Sequence, residues 1–82
     1  MLRIKTTTKL SPEEAINRAV DYFGNGGYKL EVKDQSPDHA LMEGGGGYVE
    51  VFASKEGKRA GVEFVSQEWE NQVKKFIETL KR

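Results

Sequence analysis

The stretch Ser11–Lys33, SPEEAINRAVDYFGNGGYKLEVK, changes its apolar period halfway along and so decides the fold class. Its first half is helical. Ser11 can cap free amides, and Pro12 takes the first helical position, where its missing N–H is harmless. Glu14, three residues after the cap, completes a capping box. Ala15, Ile16, Ala19, Val20 and Phe23 then recur at helical spacing as one apolar stripe. Gly24 is placed to end the helix in a left-handed conformation, with Asn25-Gly26-Gly27 continuing the turn. From there the period becomes two. Tyr28, Leu30 and Val32 alternate with Lys29, Glu31 and Lys33, the pattern of a strand with one face on a core.

Working outward, Leu2–Thr8 is rich in β-branched residues and reads as a strand with Leu2, Ile4 and Thr6 on one face. On the other side, Asp34–Asp38 is a turn by composition. Strands are expected at His39–Glu43 and Tyr48–Ser54, separated by Gly44–Gly47, whose glycines predict a mobile connection. Lys55–Lys58 is a hairpin turn with Gly57 placed for positive φ. Arg59–Val65 is the last strand, with Ala60, Val62 and Phe64 on one face. A second amphipathic helix is predicted near Gln67–Leu80, capped by Ser66. Glu68 and Glu70 fall in its first turn, and Lys81 and Arg82 at its end, as the helix dipole prefers. Trp69, Val73, Phe76, Ile77 and Leu80 make its apolar stripe. Glu70 with Lys74, and Glu78 with Arg82, are favourably spaced pairs.

The order is strand, helix, four strands, helix, in a single α+β domain over residues 1–82. Consecutive strands joined by short turns form an antiparallel sheet. The result is a two-layer β-α-β-β-β-β-α sandwich with both helices on one sheet face. This element order resembles one half of the TATA-binding-protein fold and a cut-down helix-grip fold. The resemblance is one of topology across the whole chain, with no shared motif, so it implies a shape and no function.

Composition narrows the function classes. The chain has 13 basic and 13 acidic side chains and a net charge of +0. That balance argues against nucleic-acid binding, whose affinity comes mostly from excess Lys and Arg on phosphates. Glu31, Glu50 and Glu63, expected on the open sheet face, would repel phosphates further. With no cysteine there is no disulfide, no thiolate nucleophile and no Cys-based metal or cluster site. No apolar run approaches the roughly 20 residues that span a bilayer, and the Met1–Lys5 start is not followed by a secretory apolar stretch. The expectation is a cytoplasmic protein with no catalytic residues, cofactor or metal.

Gly44–Gly47 lacks the Gly-Lys-Ser/Thr and the following helix of a phosphate loop, so it reads as a hairpin connection. His39 is the one side chain that titrates near neutral pH. Asp38 beside it would point to the opposite strand face, so His39 reads as a surface or strand-edge residue. Lys55, Lys58 and Arg59 read as a solvated turn. The strand Tyr48–Ser54 is more informative, because it is apolar on both faces while the helices cover only one. Either set, Tyr48 with Phe52 or Val49 with Val51 and Ala53, can be the one against the helices. With Tyr48 and Phe52 on the open side, Tyr48, Glu50, Phe52, Glu63 and Val65 are predicted to form a contact face for a second copy of the chain or another protein. Glu50 and Glu63 would lie near the partner copy's Lys29 or Lys33. The alternative is a helix-grip-type ligand-binding or enzymatic domain. Its pocket would lie between sheet and C-terminal helix, under the Gly44–Gly47 loop, lined by Phe64, Trp69 and Val73.

Overall fold

A computed structural model describes residues 1–24 and 27–80. The elements follow as β1 (Leu2–Thr8), α1 (Pro12–Phe23), β2 (Glu31–Ser36), β3 (His39–Gly44), β4 (Gly47–Glu56), β5 (Arg59–Gln67) and α2 (Glu70–Leu80). The strands make one five-stranded sheet in the order β1-β5-β4-β3-β2, and every neighbouring pair is antiparallel. α1 lies over β3, β4 and β5, and α2 lies over β1 and β5, both on the same face. The predicted α+β sandwich is the observed architecture.

α1 begins as its sequence dictates. The Ser11 hydroxyl accepts the Glu14 amide at 3.2 Å, with Pro12 at the start of the helix. Its end differs from expectation. Gly24 has φ −95°, not a left-handed value. Its amide donates to the Val20 carbonyl at 2.7 Å, and a Cβ there would stand 2.5 Å from that oxygen. Glycine is needed for close approach rather than for positive φ.

The predicted strand at Tyr28–Lys33 starts late, and the helix end is the reason. The last carbonyls of a helix have no partner inside it. Here the returning chain supplies them, with Tyr28 N–H on Tyr22 O, Leu30 N–H on Phe23 O and Lys29 N–H on Gly24 O. Lys29 takes φ 64° to make that turn, so β2 runs from Glu31 through Ser36, past the expected turn at Asp34. Leu30 is buried but Tyr28 is exposed. A register shift between Val32 and Asp34 places Lys33 in a bulge.

The glycine run is ordered into the ladder. Gly44 pairs with Gly47, leaving Gly45 and Gly46 as a two-residue turn at φ 58° and 83°. Positive φ at both central positions is the turn whose twist suits a hairpin. The Trp69 indole N–H donates to the Gly44 carbonyl at 2.9 Å and ties the turn to the start of α2. Gly57 turns the β4–β5 hairpin at φ 64°, as predicted.

α2 begins three residues later than expected. Ser66 does not cap it. That residue lies in β5, paired to Leu2 on one side and Val49 on the other, and its buried hydroxyl has no partner among the described residues. Gln67 ends the strand, and Glu68 at φ 71° turns the chain. Glu70 is the first-turn acid, and its carboxylate meets the Met1 ammonium at 3.9 Å. Val73, Phe76, Ile77 and Leu80 face the core, while Trp69 precedes the helix and is half-buried. The expected Glu78–Arg82 pair, the Lys81-Arg82 end and the Asn25-Gly26 turn lie outside the described residues.

Candidate functional site on the open sheet face

Alternation fixes which side chains stand on the uncovered face. Val49, Val51 and Ala53 of β4 are buried against the helices, so Tyr48, Glu50 and Phe52 point the other way. The register then assembles three rows across the sheet. One holds Glu31, Glu43, Tyr48 and Gln67. The next holds Asp34, Leu41, Glu50, Val65 and Arg3. The third holds Ser36, His39, Phe52, Glu63 and Lys5. All five predicted contact residues therefore share this face. Phe52 is 40% exposed, Tyr48, Glu50 and Glu63 are half-buried, and Val65 is buried between its register neighbours Arg3 and Glu50.

Most charges on the face are partnered within the chain. Arg3 Nη1 meets Glu63 Oε2 at 3.1 Å and Lys5 Nζ meets Glu56 Oε2 at 2.9 Å. Lys33 Nζ meets Glu31 Oε2 at 3.0 Å in the neighbourhood of the bulge. The Glu56 bond and charge raise the Lys5 pKa, and those of Glu31 raise that of Lys33. These are exposed pairs, so each contributes little to stability. Lys29 sits before β2 rather than on the sheet, and Glu63 is occupied by Arg3. The pairing of Glu50 and Glu63 with a second copy's Lys29 or Lys33 does not suit this arrangement.

His39 is the residue whose surroundings the sequence concealed. It stands between two carboxylates, with Nδ1 3.1 Å from Asp34 Oδ2 and Nε2 2.7 Å from Glu50 Oε2. Its ring leans on Phe52, with centroids 4.9 Å apart. The side chain is 22% exposed. The Glu50 hydrogen bond holds the imidazole pKa above its ordinary value. Burial opposes the rise, and Asp34 adds to it. Asp38, the neighbour in sequence, instead accepts the Ser36 hydroxyl. The imidazole links the two carboxylates, and its tautomer decides which ring nitrogen donates. Among the described residues no group of three or more metal-ligating side chains could hold a metal ion.

The alternative pocket residues lie elsewhere. Phe64 and Val73 are fully buried core side chains, and Trp69 is held by Gly44. Two open clefts among the described residues are lined by other side chains. One, beside the glycine turn, includes Glu31, Glu43, Tyr48 and Gln67. Another, between the β4–β5 turn and the start of α1, includes Lys9, Lys55, Lys58 and Arg59. No described helix is long and apolar enough to cross a membrane. No protein-family model, curated protein or solved structure matches the chain, so its likeness to half of the TATA-binding-protein fold and to helix-grip proteins stays one of element order.

Proposed function

We propose that this chain is a cytoplasmic, non-catalytic interaction module that binds a second copy of itself through the open sheet face. The observation that carries the reading is Phe52, a large aromatic 40% exposed in the middle of a face that neither helix covers. Tyr48 and Leu41, both half-buried, extend the apolar surface around it, while Val65 lies buried beneath. Burying aromatic surface contributes strongly to a small contact, and buried anchors cluster near interface centres.

The charge layout favours a second copy over an unrelated partner. Arg3 and Lys5 lie on β1 at one edge of the sheet. Glu31 and Asp34 lie on β2 at the other, with Glu43 on β3 beside it. A two-fold axis along the strand direction in the contact plane would lay each β1 edge over the partner's β2 edge. The β1 cations of one copy, each already paired within its own chain, then lie over the acidic β2 edge of the other, twice, with Phe52 of each central. Such an interface is self-complementary by construction. Burial of about 800 Å² per chain would be ordinary for it.

Sedimentation equilibrium across a concentration series tests the proposal. Wild type should dimerise, and Phe52→Glu should be monomeric with wild-type amide dispersion. A wild type monomeric at high micromolar concentration, or Phe52→Glu that dimerises like wild type, defeats it.

A further inference from the structure

We infer that self-association through the open face is gated by the protonation of His39, which acts as the shared counter-ion of Asp34 and Glu50. This rests on the open face being the contact surface. Its own support is geometric. Asp34 and Glu50 have no lysine, arginine or ammonium nitrogen within 4.0 Å among the described residues; their one cationic neighbour is His39, at 3.1 and 2.7 Å. Every other ion pair of the face has a permanent cation, Arg3, Lys5 or Lys33. This one alone depends on a group that titrates near neutrality.

Position gives the titration its effect. His39 packs on Phe52, the centre of the proposed contact. The groups around it come from every neighbouring strand. Asp34 and Ser36 stand on β2, Leu41 on its own β3, and Glu50 and Phe52 on β4. Glu63 with its Arg3 partner, and Lys5, lie beyond on β5 and β1. With His39 protonated, the trio of Asp34, His39 and Glu50 carries one net negative charge. With His39 neutral it carries two. The partner's β1 edge lies over Asp34, so Glu50, on central β4, is the carboxylate that loses its one cation in the desolvated contact. Removing an uncompensated carboxylate from water is costly, and removing a paired one is much less so.

The sign follows. The Glu50 hydrogen bond already raises the His39 pKa in the free chain. Covering the site makes loss of the proton costlier and raises the pKa further. Association is then strongest below the folded-state pKa of His39 and weakens as pH rises through it. A further rise of about half a unit per protomer would weaken dimerisation about tenfold over the titration, since each unit corresponds to a factor of ten.

The test is sedimentation equilibrium from pH 5.5 to 8.5 on wild type, His39→Gln and Phe52→Glu, with the His39 ring signals titrated by NMR in dilute wild type. The expected result is a wild-type Kd about tenfold larger at the alkaline end, a His39→Gln Kd that is flat across the range, and a His39 pKa above about 6.5. A flat wild-type profile, or a His39→Gln profile as steep as wild type, overturns the gating. It leaves the contact face standing if Phe52→Glu is still monomeric. A Phe52→Glu protein that dimerises like wild type overturns the contact face itself, and the gating with it.

Discussion

Two serines show how one residue type takes opposite roles in the same chain. Ser11 lends its hydroxyl to the Glu14 amide, an otherwise unpaired donor in the first turn of α1. Ser11→Ala should lower stability by about 0.5–2 kcal/mol, read as a lower urea midpoint at unchanged slope. Ser66 has a buried hydroxyl with no partner among the described residues. Ser66→Ala should raise stability by about 1 kcal/mol, since an unsatisfied buried polar group costs about 1–3 kcal/mol; a destabilised variant would mean the hydroxyl is paired. From sequence the two look alike, because each precedes an acidic, amphipathic run. Only Ser11 has the Pro-Glu-Glu that commits the chain to a helix at once. The same limit applies to His39. Its partners lie five and eleven positions away and meet it only through hairpin register. That register depends on the short turn at Pro37-Asp38 and the two-residue turn at Gly45-Gly46. Placing the β2–β3 turn anywhere from Asp34 to Asp38 leaves the register free, so the cluster was not legible. That Tyr48, Glu50 and Phe52 share a face was, because alternation within one strand needs no register, but which of the two apolar faces the helices cover was not.

At the scale of elements, α2 closes the core and does so through one aromatic. Phe76 is 2% exposed and lies with its ring centroid 5.7 Å from both Phe23 and Phe64 and 5.0 Å from Tyr22. Phe76→Ala should cost about 3–5 kcal/mol, measured by thermal or urea unfolding. For a chain of this length that approaches the whole stability at the usual rate of roughly 0.05–0.15 kcal/mol per residue. A variant as stable as wild type would contradict the packing of α2. The helices and the order of elements along the chain were readable because periodicity is a property of each segment alone. Element ends were not, because tertiary hydrogen bonds decide them. The amides of Tyr28, Lys29 and Leu30 go to helix carbonyls instead of a strand partner. Ser66 is held in β5 by both neighbouring strands and Gln67 by β4, which delays α2. The two sheet edges differ in the same way. β2 carries a bulge at Lys33 and runs into Pro37, devices that discourage further pairing, whereas β1 is a regular strand of seven residues.

For the whole molecule, the pairing of β1 with β5 has a consequence in time. β2, β3, β4 and β5 form a run of hairpins whose contacts are close in sequence. β1 joins that sheet only through β5, and Arg3 and Glu63 are 60 positions apart. Closing so long a loop costs entropy before any contact rewards it, so distant pairings tend to form late and slow the rate. β1 precedes every other strand in the chain and should be the last to dock. Until it does, the lower half of β5 offers Val62 and Phe64 beside an open edge, the kind of transient surface on which chains misassemble. Ile4, opposite Phe64, reports on this step. Ile4→Val should cost about 0.5–1.5 kcal/mol, appearing almost wholly as faster unfolding, whereas Val51→Ala in the β4 hairpin should mainly slow folding. Stopped-flow chevrons would show it, and an Ile4→Val variant that folds slowly and unfolds at the wild-type rate would place β1 in the nucleus. Early in folding, then, this chain is a β-meander awaiting its first strand.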